Sequence, residues 1–228
     1  MQIIKIAAVL FVMMSGAVDE AMAAKASGDL PVIVSRPKSD NSDKLIIFIT
    51  GDGGWNTFSK QLADSYVKEG IPVVALNSLK YFWKKKSPQE AANDVASLIT
   101  KYSAEWQKKK IVLCGYSFGA DVTPFIYRRL PAPLKSKVVL LQLLSPASFT
   151  DFEIHISDLF GSKDPVRSMD ILSELKSVDA PVICYYGSLE EEKPFQNQQK
   201  VGFKVSILPG DHHYKNSFSA IAKAATSK

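Results

Sequence analysis

The chain has 228 residues, 46% of them hydrophobic and 22% charged, with two cysteines. That balance excludes a disordered, collagen-like or disulfide-scaffolded chain and fits one globular domain with a sizeable core. A formal net charge of +5 draws such a protein toward anionic surfaces, phospholipid headgroups included.

The first residues, MQIIKIAAVLFVMMSGAVDEAMAAK, set Lys5 before an apolar run from Ile6 to Met14, and then the small-x-small triplet Ala21-Met22-Ala23. The run is shorter than the roughly 20 apolar residues a bilayer span needs, and its order is that of a secretory signal cleaved near Ala23. A short buried helix or a membrane anchor is the alternative. Export implies a periplasmic or extracellular mature chain. Removing Lys5, Asp19 and Glu20 leaves that chain more positive, with charge concentrated at Lys84-Lys85-Lys86 and Lys108-Lys109-Lys110. Neither run interleaves with aromatics as a nucleic-acid groove would, so no nucleic acid is expected.

Residues 24–30 read as a flexible leader and 31–228 as a single domain. A first short strand is expected at PVIVSR (31–36), followed by continuous apolar runs at LIIFIT (45–50), IPVVALN (71–77), KIVLCG (110–115), KVVLLQLL (137–144), PVICYYG (181–187) and FKVSIL (203–208). Such runs mark strands buried on both faces. Helical patterns lie between them at 58–68, 118–130 and 214–225. The clearest opens at Ser87-Pro88-Gln89-Glu90, a capping box with proline at the first helical position, and continues as a stripe of Ala91, Val95, Leu98 and Tyr102. Pro124 should kink the 118–130 helix or delay its start. The irregular segment 145–165 is expected to hold a short extra strand at Phe152 to Ile156. Strands alternating with helices give an α/β fold, with a mostly parallel sheet covered on both faces.

In open sheets of this kind, chemistry gathers outside the carboxyl ends of the strands. One end carries GYSFGAD, where Ser117 sits between glycines in a strand-turn-helix context. This is the setting of a nucleophile elbow, although Gly-x-Ser-x-Gly alone is also an ordinary turn. A second end carries GDGGW, whose Asp52 or Gly53 amide can join that of Phe118 as an oxyanion hole. A plain strand-to-helix turn is the bland reading.

A third end carries GDHHY. Serine needs a base, and imidazole is the usual one. The three histidines are 155, 212 and 213. His155 reads as structural, His212 is favoured as base with His213 supporting, and which of the pair reaches Ser117 stays open. Where this turn occurs the chain order is Ser, acid, His, so GSLEEEKP should supply the acid. Glu190 is favoured, Glu192 is second, and a solvated acidic turn is the alternative. Trp55, Asp121, Asp211 and His213 are candidate substrate contacts; for Asp121 the bland reading is an acid placed against a helix dipole. No metal or cofactor is expected, since paired histidines without a ligand cluster lack zinc spacing.

Together GDGGW, GYSFGADVTPF, DFEIH and GDHHY resemble the bacterial virulence protein VirJ/AcvB family, exported proteins of the α/β-hydrolase fold. The resemblance runs from about Leu45 to the last helix. It implies a single domain without a large lid and a periplasmic serine hydrolase acting on aminoacylated phosphatidylglycerol, chiefly the lysyl form, at an anionic membrane surface. It also implies a link to virulence and type IV secretion, with secreted proteins or secretion components as further partners. By motif, Ser117 is the nucleophile and a histidine of GDHHY the base, whereas the acid transfers poorly because GSLEEEKP has no aspartate. An adaptor without catalysis and a general carboxylesterase or thioesterase are the competing readings. The usual strand order of this fold sets one strand between those of Cys114 and Cys184. Two inter-strand spacings, roughly 9.6 Å, then keep the thiols unpaired.

Overall fold

A computed structural model describes residues 30–155, 167–198, 200–214 and 217–227. The expected signal sequence and most of the expected leader lie outside the described residues. The strands are β1 (Val32–Ser35), β2 (Lys44–Ile49), β3 (Val73–Leu76), β4 (Lys110–Tyr116), β5 (Val138–Leu144), β6 (Phe149–Thr150), β7 (Met169–Asp170), β8 (Val182–Gly187) and β9 (Phe203–Leu208). The helices are α1 (Thr57–Lys68), α2 (Ser78–Tyr81), α3 (Pro88–Glu105), α4 (Phe118–Arg129), α5 (Ala132–Lys135), α6 (Ile171–Leu175) and α7 (Phe218–Thr226).

Seven strands form one sheet in the order β1-β3-β2-β4-β5-β8-β9, antiparallel at β1 and parallel elsewhere. The central runs are buried along their whole length, with every residue from Leu45 to Ile49 at 0% exposure. That is why they read as continuous rather than alternating apolar sequence. One face packs on α3, α4 and α6 and the other on α1 and α7, giving three layers.

Helix α3 begins where its capping box predicts. The Ser87 hydroxyl accepts from the Glu90 amide at 3.1 Å, and the Glu90 carboxylate accepts from the Ser87 amide at 2.7 Å. Its stripe of Ala91, Val95, Leu98 and Tyr102 is buried against the sheet, and each large apolar side chain so covered contributes about 1.5–3 kcal/mol. Cys114 on β4 and Cys184 on β8 are buried free thiols with β5 between their strands.

Three expectations need correction. The extra strand is not at residues 152–156: β6 and β7 pair with each other at Phe149–Thr150 and Met169–Asp170, while Phe152 and Ile154 fold inward to the core without a ladder and Ile156 lies outside the described residues. Burial of alternate residues mimicked a strand pattern there. Pro124 does not delay α4, which starts at Phe118; the missing amide costs one bond inside a helix held by packing on both sides. The last helix starts at Phe218 rather than Tyr214, whose positive φ of 50° places it outside any helix.

Candidate active site

The elbow after β4 carries Ser117 at φ 51° and ψ −122°, a conformation that costs a residue with a Cβ of order 1–3 kcal/mol. It is held by the Ser117 amide donating to Leu144 O at 2.8 Å and by Ala120 and Asp121 amides donating to Ser117 O. The turn must be tight because α4 presses on the sheet. A Cβ on Gly119 would lie 2.1 Å from the Ile49 carbonyl oxygen, so only glycine lets the helix approach. The first turn of α4 leaves the Phe118 amide without an intrahelical acceptor.

Past β8, Glu190 turns back to the strand end, and its Oε1 accepts from the Gly187 amide and from the Ser145 hydroxyl, the latter at 2.7 Å. Its Oε2 lies 3.0 Å from His212 Nδ1. Burial alone would push the Glu190 carboxyl up; the hydrogen bonds from His212, Gly187 and Ser145 outweigh it and hold the carboxyl below its ordinary range. The His212 ring also lies 5.2 Å from that of Tyr116, which in turn stacks on Phe58.

Ser117, Phe118, Asp52, Asp121, Glu190 and His212 all line one cavity of about 210 Å3 at the carboxyl edge of the sheet. Serine, imidazole and carboxylate, the three groups an acyl-transfer site needs, thus share one cavity with Phe118, whose amide is at the helix N-terminus. Among the described residues no hydrogen bond joins Ser117 Oγ to His212; such contacts commonly tighten only when substrate is bound.

Other expected residues sit elsewhere. The Gly53 amide donates to the Asp52 carboxylate at 2.8 Å, and Gly53 does not line the cavity. Trp55 is half-buried against the α1 face of the sheet. His213 is exposed, edge-on to Phe58, and lies 3.6 Å from the exposed Asp211; neither lines the cavity. His155 pairs with Asp151 at 2.6 Å, outside the site. Among the described residues no cluster of His, Cys, Asp and Glu suits a metal ion.

Sequence reasoning did not single out Ser145, Arg167 or Tyr214. Ser145 and Arg167 line the cavity, and Tyr214 bonds Ser145 behind it. Ser145 directly follows β5, at a further strand end of the same edge, but a lone hydroxyl there carries no spacing signal of its own. Asp121 is fully buried and accepts from the Ala147 amide at 2.7 Å. Burial, only partly offset by that bond and Arg167, pushes its carboxyl up to about 8.

This sheet order, elbow and edge cavity define a protein of the α/β-hydrolase fold. Solved structures similar to it include Est1E from Butyrivibrio proteoclasticus (15% identity, TM-score 0.58, 85% of this chain and 90% of that one). Others are a lipase-esterase related protein from Clostridium acetobutylicum ATCC 824 (16%, 0.59, 85% and 98%) and a thioesterase domain from the curacin biosynthetic pathway (16%, 0.57, 88% and 96%). The chain belongs to the family described as bacterial virulence protein (VirJ), which matches over residues 43–228. No curated protein matches it.

Proposed function

We propose that the protein is a periplasmic serine hydrolase that cleaves the aminoacyl ester of aminoacylated phosphatidylglycerol, the lysyl form foremost, beside an anionic membrane. The observation that carries the hydrolase reading is the Glu190 to His212 pairing at 3.0 Å in the cavity that Ser117 lines. A signal-like N-terminal run, a positive net charge and membership of the VirJ family support the membrane and lipid parts of the reading.

His212 Nε2 takes the Ser117 proton while Oγ attacks the ester carbonyl carbon, and the tetrahedral oxyanion accepts from the Phe118 and Asp52 amides. The bond to the glycerol oxygen breaks, and His212 returns the proton to that oxygen. Water, deprotonated by the same imidazole, then releases the amino acid from the acyl-enzyme. A cavity of about 210 Å3 is smaller than the roughly 300–1,000 Å3 that encloses drug-sized ligands, so it suits the aminoacyl group while the diacyl part stays outside. Asp52, Asp121 and Glu192 outnumber Arg167 along its wall, which suits a cationic acyl group. An arriving ammonium would draw the proton from Asp121.

The test is release of lysine from vesicles containing lysyl-phosphatidylglycerol, with fluorophosphonate labelling of the same protein. Turnover by Ser117→Ala should fall by a factor on the order of 10^4–10^6 at unchanged circular dichroism. Retained hydrolysis by that variant overturns the nucleophile. Labelling without lipid hydrolysis overturns the substrate alone, and no labelling of folded protein returns the chain to the adaptor reading.

A further inference from the structure

The Glu190 carboxylate has two oxygens and could rotate; something must decide which one faces His212. The hydrogen bonds around it give the answer. Oε1 is filled by two donors, the Gly187 amide and the Ser145 hydroxyl, which leaves Oε2 for the imidazole. The Ser145 hydroxyl is in turn bonded to the Tyr214 hydroxyl, and the latter also reaches the Tyr185 carbonyl at 3.1 Å.

Proton counting sets the direction of this chain. An ionised carboxylate only accepts, so the single Ser145 proton goes to Glu190. Ser145 Oγ is then an acceptor, and Tyr214 supplies it. The Tyr185 carbonyl does not depend on Tyr214, because it also accepts from the Ser145 amide at 2.8 Å. Tyr214 is wholly buried, and burial raises its phenol far above the ordinary range, so it remains a donor throughout the working pH range.

Both residues also take backbone conformations that side chains with a Cβ disfavour, φ 52° at Ser145 and φ 50° at Tyr214. Strain at both ends of one hydrogen bond, neither residue touching Ser117, marks a feature retained for the site it adjoins.

We propose that Ser145, backed by Tyr214, is a positioning residue of the triad: its hydroxyl fixes the Glu190 carboxylate in the rotation that aims Oε2 at His212 and keeps that carboxylate ionised. This rests on the hydrolase reading above. It acts through Glu190 and His212, so its loss changes the reactivity of Ser117 rather than substrate binding.

The experiment measures the second-order rate of Ser117 labelling by a fluorophosphonate in the mature protein from about pH 5 to 9, for Ser145→Ala, Tyr214→Phe, Glu190→Gln and the Ser145→Ala/Glu190→Gln double variant. Losing a hydrogen bond to a charged group should slow Ser145→Ala labelling roughly 10- to 100-fold. The acid limb of its profile should move to higher pH, because the carboxylate loses a donor that favours its charged form. Tyr214→Phe should shift the limb in the same direction by less, and it carries the test if Ser145→Ala does not fold. The double variant should label within about twofold of Glu190→Gln alone, since Ser145 has nothing left to position. An unmoved pH profile, or losses that simply multiply in the double variant, overturns the proposal. Labelling that persists in Ser117→Ala instead overturns Ser117 as the nucleophile, and no labelling of the folded wild-type chain overturns the hydrolase reading itself.

Discussion

The two ends of the sheet differ in everything but their strands. At the carboxyl edge a cavity of about 210 Å3 gathers Asp52, Ser117, Asp121, Ser145, Glu190, Glu192, Arg167 and His212. At the amino edge a larger one, about 550 Å3, has Lys44, Lys110 and Lys204 among apolar walls that include Val139, Leu140, Val182 and Phe203, with neither an acid nor a histidine. Size would choose the wrong end. The lysines at the foot have structural work: Lys44 Nζ donates to the carbonyls of Ala225 at 2.7 Å and Ser227 at 2.5 Å, closing the end of α7, while Lys110 pairs with Asp43 at 3.1 Å. Among the described residues four non-glycine positions have positive φ; three (Ser117, Ser145 and Tyr214) lie at the carboxyl edge, and the fourth, Gln107, follows α3, where such a conformation ends helices. Strain and convergent donors, not volume, tell which end performs chemistry.

Substitutions at the two ends should therefore separate rate from stability. After Ser117→Ala itself, the largest effect is expected for Glu190→Gln, which leaves shape intact but replaces the ionised partner of His212. Its kcat for ester hydrolysis should fall about 10^3–10^4-fold with little change in Tm, and a loss under tenfold would return Glu190 to an ordinary acidic turn. Gly119→Ala crosses the comparison, since the added Cβ meets the Ile49 carbonyl and must move α4 with its elbow. A stability loss of about 1–3 kcal/mol in urea unfolding, together with impaired labelling of Ser117, is the expected pair of outcomes.

Lys44→Met at the foot should cost stability by about 1–3 kcal/mol, chiefly through the buried Ala225 carbonyl left without this donor and less through the part-buried Ser227 carbonyl, while kcat stays unchanged. A changed kcat there would erase the contrast. The last effect is one of pH. The Asp121 carboxyl titrates near 8 folded and near 4 unfolded, so between those values the native state binds more protons and its stability falls as pH rises. Asp121→Asn should flatten that slope in Tm measured at several pH values, and an unchanged slope would remove Asp121 as its source.

The sheet was legible because its strands are apolar on both faces and because turn chemistry bounds them. The elbow was legible because Ser117 follows such a run and precedes a helix. Among three identical neighbours the sequence favours Glu190, three residues past Gly187, only by its spacing, with Glu192 second; the physical reason lies in the backbone at Gly187, where an added Cβ would lie 2.2 Å from the Asp211 carbonyl, which brings the histidine loop against the first of them. Ser145 and Tyr214 escaped because a hydroxyl at a strand end carries no spacing signal until its partner 69 residues on is placed beside it. Gln142 similarly interrupts the KVVLLQLL run without any local reason, and only the fold shows it bonding Tyr66, Tyr185 and Ile221 across the α1 and α7 face.

Cys114 and Cys184 occupy alternate strands of a packed sheet, and burial pushes the Cys114 thiol up to about 12. With β5 between their strands the two sulfurs do not meet in the folded chain, so a crosslink between them would have to form before β5 inserts, and it would bar that insertion afterwards. Oxidised monomer would therefore be a ledger of failed folding, whereas correctly assembled molecules would resist alkylating reagents until they unfold.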